Sequence, residues 1–307
     1  MGAAPGSAQT TRDEGALFLL VPVGARAAAL GQAAVSDRGT AEAAFWNPAG
    51  LAALPRSEFA FHAARTFASS NGVISAYFQD DRVGTVGAAV YVVDLGSQDF
   101  IPRGATEPTG RTTTRNIELI ASYATSLGGD LSLGVNYKLI QLRNDCSGDC
   151  GTFRAIVGTT HAMDIGLQGQ VAQRFEYGIA VRHAGFKLQL ENSSQADPLP
   201  TRVVVGASWT MPVSRLADGT GLDARFLVNL QDAVGQYASP DVLVGSEIGY
   251  GDLLRVRAGY AFTDAGIGGA TIGIGFRYER FMVDFARLFY DSAIESEPAY
   301  LSIRVGL

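Results

Sequence analysis

The chain is poor in charge, in histidine and cysteine, and in long apolar runs. Charged residues make up 18% of its 307 positions, against about 25% in ordinary soluble domains. The net charge is −6 with no basic run, which excludes nucleic acid as a partner, because a nucleic-acid binder presents a basic face. The three histidines, His62, His161 and His183, are scattered without ligand spacing, so no metal site is expected and they are read as rim or lumen residues. No apolar stretch reaches the roughly 18 residues of a transmembrane helix. The nearest, residues 16–23, follows Arg12-Asp13-Glu14 and has neither the basic leader nor the length of a secretory signal. No nucleophile elbow, phosphate loop or paired-carboxylate motif is present, so neither an enzyme nor a cofactor is expected. The run Gly266-Ile267-Gly268-Gly269-Ala270 leads into strand alternation, not into the helix that a dinucleotide fingerprint needs.

What the chain has in plenty is glycine and alternation. Glycine fills 37 of 307 positions, well above the usual share of about 7%. From residue 57 onward apolar residues recur with a period of two, as in Leu131, Leu133, Val135, Tyr137 and Leu139 against Ser132, Gly134, Asn136 and Lys138. This is strand patterning with one apolar and one polar face. Fourteen such segments are expected, at 57–65, 71–80, 83–94, 113–125, 130–143, 159–169, 173–184, 201–210, 223–232, 240–250, 252–263, 270–278, 281–290 and 298–307. Most are close to the 9–11 residues, roughly, that a tilted strand needs to cross a bilayer, and longer than the globular mode of about 5–6. Arg287 falls on the apolar side of its segment, which predicts a bulge or a rim position there.

The connections alternate in length. Residues 95–112, 144–158 and 185–200 are long and polar, while those near 126–129, 171–172, 251 and 280 are short, with 211–222 as the exception. Outer-membrane barrels segregate short inner turns from long outer loops in this way. Aromatics such as Tyr123, Tyr177, Trp209, Tyr250, Tyr260, Phe262, Tyr278 and Phe289 lie towards strand ends, as interfacial girdles do. The expected fold is therefore all-β: a transmembrane antiparallel up-and-down barrel of about 14 strands. The alternative is a large soluble all-β protein with an aromatic core. In a membrane barrel the polar face turns inward, which makes Glu118, Lys138, Glu176, Arg182, Arg202, Arg225, Glu247, Arg255, Arg257, Arg277 and Arg304 lumen-facing charges. They are read as paired residues filling the lumen, or else as a filter for an anionic solute. The bacterial outer membrane and its lipid then follow as location and partner, with an export signal that is not visible, attributed to trimming or a misassigned start.

Cys146 and Cys150 stand four apart in the 144–158 connection. A small loop disulfide is favoured; free thiols or half a metal site are the alternatives.

Residues 1–56 precede the strands. Gly24-Ala25-Arg26-Ala27 with Gly31, then Asp37, then Trp46-Asn47-Pro48-Ala49-Gly50-Leu51, resembles the N-terminal signature of the PorV/PorQ family of FadL-like outer-membrane barrels. Gln32 departs from the second glycine of many members, and Ser36-Asp37-Arg38-Gly39 from their paired-Asp stretch. The resemblance implies a small plug or hatch inside the lumen, with Arg26, Gly31, Trp46, Asn47, Pro48, Ala49 and Gly50 at the gate, followed by a barrel over 57–307. A surface arm is the alternative. Thr40 is expected to cap a short helix over 41–44 that Pro48 ends. The resemblance implies a non-enzymatic docking or carrier component for envelope or secreted proteins, as in type IX secretion. Its alternative is FadL-like passage of hydrophobic small molecules through a hatch-gated lateral opening. Envelope proteins at the long loops and a hydrophobic ligand are the partners that these two readings imply.

Overall fold

A computed structural model describes residues 14–307 except 67, 154, 173, 192–193, 216–220, 235–239, 264–267 and 291–296. Two short helices come first, α1 (Ala25–Ala29) and α2 (Ala43–Trp46), with 3-10 turns at Leu17–Leu20 and Pro48–Ala53. The strands are β1 (Glu58–Arg65), β2 (Ser70–Asp80), β3 (Gly84–Phe100), β4 (Gly110–Gly128), β5 (Leu131–Gly148), β6 (Ile156–Val171) and β7 (Phe175–Gly185). A small hairpin, β8 (Leu188–Gln189) and β9 (Ala196–Asp197), precedes β10 (Arg202–Arg215), β11 (Gly221–Ala233), β12 (Asp241–Tyr250) and β13 (Leu254–Phe262). The chain ends with β14 (Gly269–Tyr278), β15 (Phe281–Tyr290) and β16 (Ala299–Gly306).

Fourteen of these strands form one closed antiparallel barrel: β7 pairs with β10, β16 closes onto β1, and β8–β9 stands apart. Closure leaves no open edge in lipid, where an unpaired backbone group has no water to meet. Each expected segment is a strand. Several run on further than the alternation showed, among them β3 to Phe100, β4 from Gly110 to Gly128, β5 to Gly148, β6 from Ile156 to Val171 and β10 to Arg215. The connections read as loops at 95–112 and 144–158 are thus about half strand. There Arg111 and Thr112 pair with Asp99 and Gln98 of β3 and with Ser147 and Cys146 of β5, and with both faces polar no period of two is visible. The 185–200 connection carries β8–β9, and much of 211–222 belongs to β10 and β11, with a bulge at Pro212/Ser214. Proline cannot donate to a ladder, so a bulge is where it is tolerated. The described part of the glycine run is Gly268-Gly269-Ala270, of which Gly269-Ala270 opens β14, while Gly266 and Ile267 lie outside the described residues.

The faces are inverted relative to a soluble barrel. Phe61, Ile74, Leu119, Ile165, Ile179, Phe226, Val256 and Phe285 are exposed, whereas Glu118, Asn136, Lys138, Asp164, Glu247, Arg257, Asp284 and Arg304 are buried. This apolar-out arrangement, together with the barrel, indicates an outer-membrane location. Tyr123 donates its hydroxyl to the carbonyl of Val83 in an inner turn at 2.9 Å, as an interfacial tyrosine would. Arg287 sits at the outer rim without a bulge and pairs with Glu297 at 2.8 Å. His161 faces outward, not to the lumen, because it stands at an outward position of the β6 alternation, where its Nδ1 lies 2.6 Å from the Tyr137 hydroxyl. Cys146 and Cys150 are joined as a disulfide, with Cys146 on the end of β5 itself.

Candidate functional site

The lumen holds residues 17–54, most of them buried. Helix α1 lies on β13, β14, β15 and β16, and the Pro48–Ala53 turn lies on β3, β4, β5 and β6. A segment that touches strands on both sides of a closed barrel lies within it. Small residues on both surfaces permit the approach. A Cβ on Gly134 of β5 would fall 2.2 Å from the Ala49 nitrogen, and one on Gly166 of β6 would meet Asn47 Oδ1 at 1.8 Å. Gly31 (φ +61°) lies against Gly259 of β13, where an added Cβ would fall 2.2 Å from the Gly31 nitrogen. These glycines occupy lumen-facing positions of the alternation, so the glycine richness of the polar face is space for the segment.

Asn47 fastens the middle of it. Its Oδ1 accepts from the Ala49 nitrogen at 3.1 Å, capping the turn that Pro48 opens, and its Nδ2 donates to the carbonyls of Val35 at 2.9 Å and Leu167 at 3.1 Å. Helix α2 ends at Trp46, and Asn47 is extended, as a residue before proline must be. Thr40 does not cap that helix, because Glu42 takes the N-cap position. The Glu42 carboxylate instead accepts from the Ala27 nitrogen at 3.1 Å, at the N-terminus of α1.

At the short-turn end the segment joins a continuous chain of ion pairs. Glu176 pairs with Arg225, Arg225 with Asp37 (2.6 Å), and Asp37 with Arg26 (2.6 Å). Arg26 continues to Glu247 (2.7 Å), Glu247 to Arg257 (2.5 Å), Arg257 to Asp284 (2.7 Å) and Asp284 to Arg304 (2.7 Å). Acid and base alternate, so each charge taken from water faces opposite charges, the condition under which buried ions are tolerated. Burial pushes the Asp37 carboxyl up, but the Arg26 and Arg225 guanidiniums outweigh it and hold Asp37 well below the usual carboxylate range.

A second cluster lies nearer the outer end. Lys138 Nζ sits between Glu118 (3.0 Å) and Asp164 (2.9 Å). The register of β6 and β7 shifts between Met163 and Ile165, opposite Val181 and Ala184. This irregularity carries Arg182 and His183 (φ +57°) into the interior together, two successive residues that regular alternation would have put on opposite faces. The Arg182 guanidinium lies 5.0 Å from the Trp46 ring centroid, a cation–π contact. Beside them is a cavity of about 20 Å³, lined on its apolar side by Leu19, Val23, Phe45, Trp46 and Tyr91. It has room for about one water. Its cover, residues 17–23, is moored at the outer end, where Arg202 grips Glu14 at 2.9 and 3.0 Å and the Gly15 nitrogen donates to the carbonyl of Pro198 at 2.9 Å.

The structure thus brings Arg26, Gly31, Trp46, Asn47, Pro48, Ala49 and Gly50 into the lumen. It brings nine of the expected lumen charges, Glu118, Lys138, Glu176, Arg182, Arg202, Arg225, Glu247, Arg257 and Arg304, into ion pairs or contact with the segment. Arg255 is half-buried near Glu247 at 3.7 Å, and Arg277 is exposed at the short-turn mouth. Sequence reasoning missed Asn136 and Gln168, which donate to the carbonyls of Ala44 (2.7 Å) and Val35 (2.8 Å). Both stand at lumen-facing positions of the alternation, which was the available signal. Among the described residues no cluster of His, Cys, Asp or Glu is placed to hold a metal.

The same barrel occurs in solved proteins. Its structural neighbours include hydrocarbon transporters and channels. The toluene transporter TbuX of Ralstonia pickettii is 14% identical and aligns with 94% of this chain and 100% of its own, with a TM-score of 0.61. The monoaromatic hydrocarbon channel CymD is 14% identical over 94% of this chain and 98% of its own, TM-score 0.61. The Pseudomonas putida toluene transporter TodX is 13% identical over 94% and 99%, TM-score 0.60. Identities this low establish a shared fold. No protein-family model matches the sequence, so the PorV/PorQ resemblance of residues 18–54 rests on its motif alone. No curated protein matches either.

Proposed function

We propose that this protein is a plugged outer-membrane channel for small hydrophobic molecules, with residues 14–56 as its plug. The observation that carries the reading is the build of the lumen. Its outer half presents an apolar cover, residues 17–23, over Phe45, Trp46 and Tyr91, while its inner half is cross-linked by the ion-pair chain. A hydrophobic molecule lifting the outer cover meets Phe45, Trp46 and Tyr91 on one side and Glu118, Lys138, Arg182 and His183 on the other, then a charged seal that it cannot cross cheaply. Its exit is sideways through the wall, and the register shift between β6 and β7 beside the cavity favours that route. The fold shared with toluene and monoaromatic hydrocarbon channels points the same way.

The test is uptake of a labelled monoaromatic hydrocarbon by cells whose own hydrocarbon channels are deleted. Expression of this chain is expected to speed uptake of the hydrocarbon but not of a hydrophilic sugar of similar size. Equal rates with and without the protein would reject the reading. Docking of envelope or secreted proteins is the second reading, and one feature favours it: β3, β4 and β5 continue outward as a polar sheet beyond their pairing with β2 and β6. Co-purification of an envelope protein that is lost on trimming this extension would support it.

A further inference from the structure

The short-turn mouth holds a feature that hydrophobic passage does not use. A cavity of about 90 Å³ opens there, lined by five arginines, Arg26, Arg255, Arg257, Arg277 and Arg304. One water needs only about 10–15 Å³, so a group of several heavy atoms fits.

Against the five guanidiniums stand three buried carboxylates at ion-pair distance, Asp37, Glu247 and Asp284, while the buried Glu42 and Glu58 act on Arg304 from further away. Glu247 and Asp284 between them contact Arg26, Arg255, Arg257 and Arg304. Arg26 has Asp37 as well, and Arg255 has Asp223 at 3.6 Å and the exposed Asp252 at 3.9 Å. Arg304 is left with two idle donors: its side chain is 3% exposed, yet Nε and Nη1 meet no hydrogen-bond partner among the described residues. Arg277 pairs with no carboxylate among them, and its Nη2 reaches only the Met282 sulfur at 3.2 Å. The register ties the two together. Arg277 is opposite Met282, and Met282 is opposite Arg304, so the arginines stand in one row on β14 and β16 with β15 between. Two strand spacings separate them by roughly 10 Å, a gap that two long side chains close around one small anion. Leu253, Phe276, Met282 and Thr40 also line the cavity, as do two carboxylates, Asp284, which is held by Arg257 and Arg304, and Asp252 at the exposed edge.

We propose that this cavity binds a phosphate group, held chiefly by the free donors of Arg304 and Arg277. Guanidinium forks match the oxygens of phosphate in pairs, and occupancy would satisfy the donors that are now unpaired. In an outer-membrane barrel the short turns lie at the inner leaflet, so the phosphate belongs either to a phospholipid headgroup or to a free ion. The site lies at the end of the lumen opposite the cavity under residues 17–23 and stands whether or not hydrocarbons pass.

The experiment uses the full chain, purified in phosphate-free detergent, with barrel folding checked by its heat-dependent shift on gels. One arm titrates inorganic phosphate by calorimetry; the other looks for retained phospholipid by native mass spectrometry after extraction from membranes. The expected result is one phosphate bound per chain, or one phospholipid retained per chain, and the arm that responds names the source. Arg277→Gln, at the exposed mouth, is expected to leave the barrel folded and weaken binding or retention at least ten-fold. Absence of both binding and retention in the folded wild-type chain would overturn the proposal. So would binding that Arg277→Gln and Arg304→Lys, each still folded, leave unchanged.

Discussion

Asn47 of the lumen segment donates its side-chain amide to the backbone carbonyl of Leu167 in the barrel wall at 3.1 Å. The same side chain caps the next turn and reaches back to Val35. One buried residue thus fastens the segment to itself and to the wall.

Replacing it tests that role. Asn47→Ala leaves the buried Ala49 amide without its side-chain partner, at a cost of about 1–3 kcal/mol, and removes the amide that joins the Val35 and Leu167 carbonyls, Val35 keeping only Gln168 as a side-chain donor. The barrel's own ladder is untouched. The expected outcome is a folded barrel whose N-terminal segment is cut by added protease much faster than in the wild type.

The wall glycines give a steric counterpart. Gly134→Val places a branched side chain where even a Cβ lies 2.2 Å from the Ala49 nitrogen. The obstacle is backbone and cannot swing away. The variant is expected to form the barrel but to displace the segment, seen as raised permeability to small hydrophilic solutes in liposomes. A tight barrel would show that the segment does not fill the lumen.

The outer mooring bears on gating. Glu14→Gln weakens the two-fold grip of Arg202 without touching the cavity. Under the channel reading, hydrocarbon uptake rises several-fold in cells. Unchanged uptake alongside faster labelling of a cysteine placed at Leu17 would mean that residues 17–23 move without gating passage.

The ion-pair chain predicts a pH dependence of definite sign. Asp37 titrates near pH 3.9 in an unfolded chain, and its folded pKa is depressed well below that. As pH falls the unfolded state takes the proton first, so the contribution of Asp37 is fully present above about pH 5 and is lost only in stronger acid. Glu42 is shifted up, by burial first, so its contribution runs the other way and fades as pH rises through its folded value. The stability gap between wild type and Asp37→Asn is expected to stay level from pH 8 to about 5 and to shrink below about 4. A gap that closes above pH 5 would contradict the pairing with Arg26 and Arg225.

The strands were legible because lipid imposes a rule on every residue that faces it. The alternation from Leu131 to Leu139 had to be apolar outward, and loop length by parity followed from the two unlike sides of the membrane. Where β3, β4 and β5 leave the bilayer the rule lapses, both faces turn polar, and the extension at Gly110, Arg111 and Thr112 read as loop. The outward face of His161 follows from the same alternation in β6. The joint burial of Arg182 and His183 was hidden, because it depends on the β6–β7 register shift.

By itself, then, the amino-acid order determined the strand count, the inside and outside of the wall, and a small-residue segment in front of it. Those properties are local, written in period and side-chain size. Which charge meets which was decided only by closure of the barrel, which brings Arg26 against Glu247 and Asp37 against Arg225 across separations of some two hundred residues. It also left Arg304 with idle donors in the row it shares with Arg277, because pairing across a lumen depends on register and tilt that no stretch of sequence contains.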